Sequence, residues 1–142
     1  MRHTIITIAL LTIATAANAG GISFNKSQLI PAGGNDKVTL YVVKESKTTN
    51  ADGSIGFDAL IQYSEAGSKA AFGHMKKADR PVLSHTTAHV KCNSSKMKTV
   101  WAKHVAAKKD ISEGKLKENY VSYKPGSIES SLAEVACSPD FE

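Results

Sequence analysis

Beyond residue 19 this 142-residue sequence contains no apolar run long enough to cross a bilayer, which takes about 20 residues as a helix. It contains no Gly-rich phosphate loop and no Gly-x-Ser-x-Gly elbow, so the commonest local signatures of nucleotide binding and of serine hydrolysis are missing. There are no internal repeats and no low-complexity linkers, which excludes solenoids and multi-domain tethers. Cysteine is limited to Cys92 and Cys137, too few for a disulfide-dense scaffold or a four-cysteine zinc site.

What is present begins with an export signal. Met1-Arg2-His3 gives a short positive start, Thr4–Thr15 is mostly Ile, Leu, Ala and Thr, and Ala17-Asn18-Ala19 places small residues where a signal peptidase needs them. Cleavage between Ala19 and Gly20 is the expectation, leaving one domain of about 120 residues. No cysteine lies near that position to take a lipid. An even number of cysteines in an oxidising compartment points to a Cys92–Cys137 bridge, the alternative being two separate buried thiols.

The formal net charge of +5 is uneven. Lys69–Lys124 carries thirteen Lys and Arg against four Asp and Glu, whereas the tail from Pro125 is acidic. A basic middle can attract a polyanion, but these lysines are dispersed and read as a solvating surface.

Alternation marks the strands. Val38–Lys44 is β-branched and apolar, and Ile55–Tyr63 has period two. With Asp52-Gly53 between them, they predict a β-hairpin. In Val82–Cys92, Ser84, Thr86, Ala88, Val90 and Cys92 form the side fit for burial, and His85, Thr87, His89 and Lys91 the side fit for water. Ala66–Arg80 reads as a loop or short helix. Lys96–Ala107 fits either strand or helix and leans to strand, with Met97, Thr99, Trp101, Lys103 and Val105 aligned, a hairpin loop at Asp110–Gly114 and a further strand over about Lys117–Tyr123. The last element is a helix: Ser127 is its N-cap, Glu129 lies in its first turn, and Ile128, Leu132, Val135 and Ala136 make its apolar stripe up to Cys137. The expected class is α+β, an antiparallel sheet of about five strands with a C-terminal helix packed on one face and one disulfide.

Candidate chemistry is sparse. His85 and His89 on a strand stand about 13 Å apart, too far to share an ion, so no metal and no cofactor is expected. A rival arrangement builds an enzyme or metal protein from His74, His85, His89 and His104. Trp101, Tyr120 and Tyr123 lie among lysines, as in surfaces that stack bases, but at strand spacing they read as core, and no nucleic-acid partner is expected.

The early strand Val38-Thr-Leu-Tyr-Val-Val, the strand ending at Cys92, and the stretch Tyr120-x-x-Tyr-x-Pro-Gly-Ser127 leading into a helix closed by Cys137 together resemble the bacterial surface-adhesin E-like proteins. That resemblance implies a non-enzymatic domain, residues 20–142, binding a protein partner such as a host matrix protein or an envelope component. It departs from the family's lipid-anchored type member in lacking a cysteine at the cleavage site, which points to a periplasmic or secreted protein and leaves a periplasmic accessory or inhibitor as the alternative.

Overall fold

The computed structural model describes residues 21–142; the expected signal sequence and its expected cleavage between Ala19 and Gly20 lie outside them. The chain forms an antiparallel sheet in the order β1 (Leu29–Gly34), β2 (Val38–Val43), β4 (Ile55–Tyr63), β5 (Leu83–Lys91), β6 (Lys96–Val105) and β7 (Asp110–Lys115). Two short strands complete it: β3 (Thr48–Thr49) pairs β4, and β8 (Val121–Ser122) pairs β6. The sheet thus has eight strands, not about five.

Each extra strand has a local cause. β1 contains Pro31, Gly33 and Gly34, residues that argue against a strand in a sheet centre. It pairs with a neighbour on one side only, so the missing proline N–H breaks no ladder. β3 continues the expected first hairpin beyond an interruption where Glu45 adopts φ 62°. Asp52-Gly53 turns this hairpin as expected: Gly53 has φ +83°, and its N–H donates to Asn50 O at 2.9 Å. The expected hairpin loop at 110–114 is instead strand β7, because the chain reverses earlier, at Ala106–Lys109, where Ala106 N–H donates to Lys109 O. Long β6 therefore has two partners on its outer side, β7 along Trp101–Val105 and β8 along Lys96–Met97. The expected strand over 117–123 shrinks to two residues.

β6 is a strand, but its faces change part-way. Thr87 pairs Trp101 and Ala88 pairs Thr99, so Val100 is an extra residue in a β-bulge. Before it, Met97 and Thr99 share the side of Ala88 and Val90. After it, Trp101, Lys103 and Val105 lie on the opposite side with Thr87, His85 and Leu83. Unbroken alternation from Met97 to Val105 is corrected accordingly.

Two helices cover one face. α1 (Glu65–Phe72) starts at Ser64, whose Oγ accepts from Gly67 N–H, and lays Phe72 edge-on against Tyr63 and His104. α2 (Ile128–Ala136) follows a turn in which Pro125 sets the first corner and Gly126, at φ +81°, the second. Ser127 Oγ then accepts from Ser130 N–H at 3.1 Å. α2 buries Leu132, Ala133 and Ala136 against Val38, Leu40, Val42, Phe57, Ala59 and Val90. At nine residues it is marginal alone; fully burying one leucine stabilises by about 1.5–3 kcal/mol, so packing supplies its order.

The other face has no α-helix among the described residues. At one end Leu29, Val43, Leu60, Leu83 and Val105 form a second apolar cluster, covered by Ile22 with Phe24 alongside. His85, expected on the wet side, is consequently only half-exposed beneath Phe24.

Cys92 and Cys137 are joined, with Cα atoms 5.9 Å apart. The bridge ties the end of α2 to the β5–β6 turn. Cys137 packs against the cluster beneath α2, but Cys92 does not lie in the core: β5 ends at Lys91, so alternation no longer governs Cys92, and the residue is exposed.

Candidate functional site

The uncovered half of the helix-free face is the most distinctive surface. Cross-strand pairing puts Lys91 opposite Lys96, His89 opposite Lys98, Thr87 opposite Trp101, and His85 opposite Lys103. On the next strand Lys115 stands opposite Trp101 and Glu113 opposite Lys103. Lys103 is neutralised by Glu113 at 3.5 Å and Asp110 at 3.7 Å. Lys91, Lys96, Lys98 and Lys115 have no such carboxylate partner within salt-bridge distance among the described residues.

Two carboxylates border this surface, each held by its own donors. Asp58 accepts from His85 Nε2–H at 3.0 Å and Thr87 Oγ1–H at 2.8 Å. Burial opposes ionisation of Asp58, but these two hydrogen bonds and the histidine's charge outweigh it and hold the carboxyl below its usual range. Asp52 accepts from the Ser54 hydroxyl at 2.6 Å, from Ser54 N–H at 2.9 Å and from the Tyr120 hydroxyl at 3.0 Å. The Ser54 bonds chiefly, then Tyr120 and the charge of Lys91, keep Asp52 well below the ordinary carboxylate range.

Tyr120 ties the irregular segment after β7 to the 50–54 turn. Lys91 Nζ lies 4.3 Å and Lys98 Nζ 4.6 Å from its ring centre, a double cation–π contact. His89 is held below its ordinary pKa by burial first and by the charge of Lys98 second. Trp101 packs edge-on against His85 at 4.9 Å. Trp101 and Tyr120 are outside both apolar clusters, contrary to the expectation of core aromatics, whereas Tyr123 does pack against the cluster under α2.

The histidines do not converge. His85 and His89 share the helix-free face, His104 points to the helix side opposite Ser84, and His74 is exposed after α1. Among the described residues no group of three or more His, Cys, Asp or Glu is placed to hold a metal.

Sequence reasoning missed a serine–histidine pair. Ser84 Oγ lies 2.6 Å from His104 Nδ1 and donates to the Tyr63 hydroxyl at 3.3 Å. The imidazole tautomer sets which of Ser84 Oγ and His104 Nδ1 donates to the other. Burial lowers the His104 pKa and keeps the ring neutral. Ser84 is wholly buried, so its oxygen is out of reach of a substrate and the pair braces the core beneath α1. Cross-strand register alone brings these two residues together, which is why the pair was not legible in the sequence although each residue was.

A cleft of about 420 Å³ lies between β6, β8 and the start of α2, lined among others by Met97, Thr99, Val121, Tyr123 and Glu129. It gathers no catalytic pair. No protein-family model matches the chain, and no curated protein or solved structure is significantly similar to it.

Proposed function

We propose that this chain is an exported, non-enzymatic, adhesin-like binding domain of the bacterial cell envelope, and that it engages a protein partner through the helix-free face of its sheet. The observation carrying this reading is the uncovered end of that face, where four lysines without carboxylate partners share one side of the sheet with Trp101. A monomer gains nothing in stability from like charges set opposite one another across strands, whereas a binding surface uses them for recognition and for steering its partner. The signal-like N-terminus, the disulfide and the resemblance to adhesin E-like proteins support the same reading.

A second reading, a periplasmic accessory or inhibitor protein, is favoured by the lack of a cysteine after the expected cleavage position. A photo-crosslinking residue at Lys115, in cells producing the full chain, tests the binding surface. A discrete adduct with one protein, identified by peptide mass mapping and missing when the crosslinker replaces Glu134 on α2, is the expected result. Equal adducts at both positions, or none, overturn the assignment. The partner's residence in the periplasm or on the host separates the two readings, and intact mass beginning at Gly20 checks export.

A further inference from the structure

The lysines that appear scattered along the sequence meet at one place. Lys96 and Lys98 project from the same side of β6, separated by two strand residues, or about 6.7 Å. Lys91 faces Lys96 from the adjacent strand, and Lys115 extends the row beyond the bulge. We infer that this row is a docking site for an extended acidic peptide segment bearing carboxylates at every second residue. The inference rests on the protein-binding reading above and names the chemistry of the partner.

Three observations select a carboxylate peptide from among polyanions. The spacing is that of alternate side chains on an extended chain, which shares the rise of β6 itself. The cations are all lysines, point charges with no planar fork; the only arginine among the described residues, Arg80, lies away from this face, with its Nε bonded to Met75 O. Arginine is the residue suited to bidentate capture of phosphate. The aromatic rings are already engaged, Tyr120 by two ammonium groups and Trp101 by His85. A single-stranded nucleic acid, which binds by stacking bases on free aromatic faces, finds no platform here.

The site also shows its preference within the chain. Asp52 brings a carboxylate to this end of the face, where it takes the Tyr120 hydroxyl and feels the charge of Lys91. Lys96 and Lys115 are exposed and stand outside that contact, ready for carboxylates from elsewhere.

The test is fluorescence anisotropy on the purified exported protein with two labelled decapeptides of equal composition. One alternates Glu and Ser; the other carries five Glu followed by five Ser. The alternating peptide is expected to bind at least fivefold more tightly at about 50 mM salt and to weaken steeply by about 200 mM, as screened contacts do. The double reversal Lys96→Glu with Lys98→Glu is expected to cut its affinity at least tenfold. The neutral pair Lys96→Gln with Lys98→Gln should give a smaller loss, and Lys44→Glu with Lys69→Glu, two exposed lysines elsewhere, no change. Equal affinity for both peptides overturns the inference, as does preference for decathymidylate or a heparin oligosaccharide, or insensitivity to the reversal. A protein adduct at Lys115 without peptide discrimination would remove this inference and leave the protein-binding reading in place.

Discussion

His85 Nε2 lies 3.0 Å from Asp58 Oδ2, and the same imidazole meets the rings of Phe24 and Trp101 edge-on. One side chain therefore joins the N-terminal segment, a buried-edge carboxylate and the aromatic of the candidate binding face. Asp58→Ala removes the acceptor for both His85 and Thr87. Leaving partly buried donors unpaired costs about 1–3 kcal/mol, and the urea midpoint should fall accordingly.

The same contact sets an acid limit. The folded-state pKa of Asp58 is depressed, so its contribution is present above the ordinary aspartate value and is lost as pH falls through the lower folded value. Wild-type stability should decline below about pH 4, and the decline should be shallower in Asp58→Ala. Parallel pH–stability curves for the two proteins would contradict this.

For His104 the sign is similar but the window higher. Burial lowers its folded pKa, so the neutral ring contributes stability above the ordinary imidazole value near 6.5, and that contribution is lost as pH falls below it. Proton NMR should show His104 titrating below the ordinary imidazole value near 6.5. Titration of His104 above that value would remove the bracing role given to the Ser84–His104 bond.

The disulfide closes a separation of 45 residues, worth about 4 kcal/mol in the chain-entropy account. Cys137→Ser should lower Tm by more than about 10 °C for a domain of this size. Because the bridge holds the end of α2 at the rim of the sheet, protease should cut first near Pro125 in the variant. Cleavage at the β4–β5 connection before Pro125 would show that α2 is held by packing alone.

Much of this arrangement was legible in the sequence where one physical signal governed. Period two placed Ser84, Thr86, Ala88 and Val90 on the buried face, and an N-cap serine with an apolar stripe located α2. Where two signals conflicted the reading failed. Pro31 and paired glycines hid β1, because local sequence does not say that a strand will be at the sheet's edge. Cys92 lay one residue beyond the end of β5, where alternation stops applying. The cationic row was illegible because it exists only across the pairing of β5 with β6 and β6 with β7. Dispersal along the chain and assembly in space are compatible.

Val100 is the extra residue that the bulge absorbs, and a pair of deletions gives the sharpest prediction. A strand slipped by one residue sends every side chain to the opposite face. With the bulge in place, Val105 enters the cluster of Leu29, Val43, Leu60 and Leu83, while Ala102 takes the tighter helix side. Deleting Val100 makes Thr99 and Trp101 neighbours, so plain alternation then reproduces the observed faces: Met97 and Thr99 stay beneath α2, and Trp101, Lys103 and Val105 stay on the opposite side. The deletion removes the acceptor for Leu116 N–H, at about 0.5–1.5 kcal/mol, and should leave the fold and the cationic row intact. Deleting Ala102 has no such solution: with the bulge kept, Val105 leaves its cluster, and with the bulge resolved, Trp101 turns toward the helix side. Urea denaturation should therefore place the Ala102 deletion at least about 1.5 kcal/mol below the Val100 deletion. If the two deletions were equally stable, the bulge would not be what places Met97 and Val105 on opposite faces, and the cationic row would lose its geometric basis.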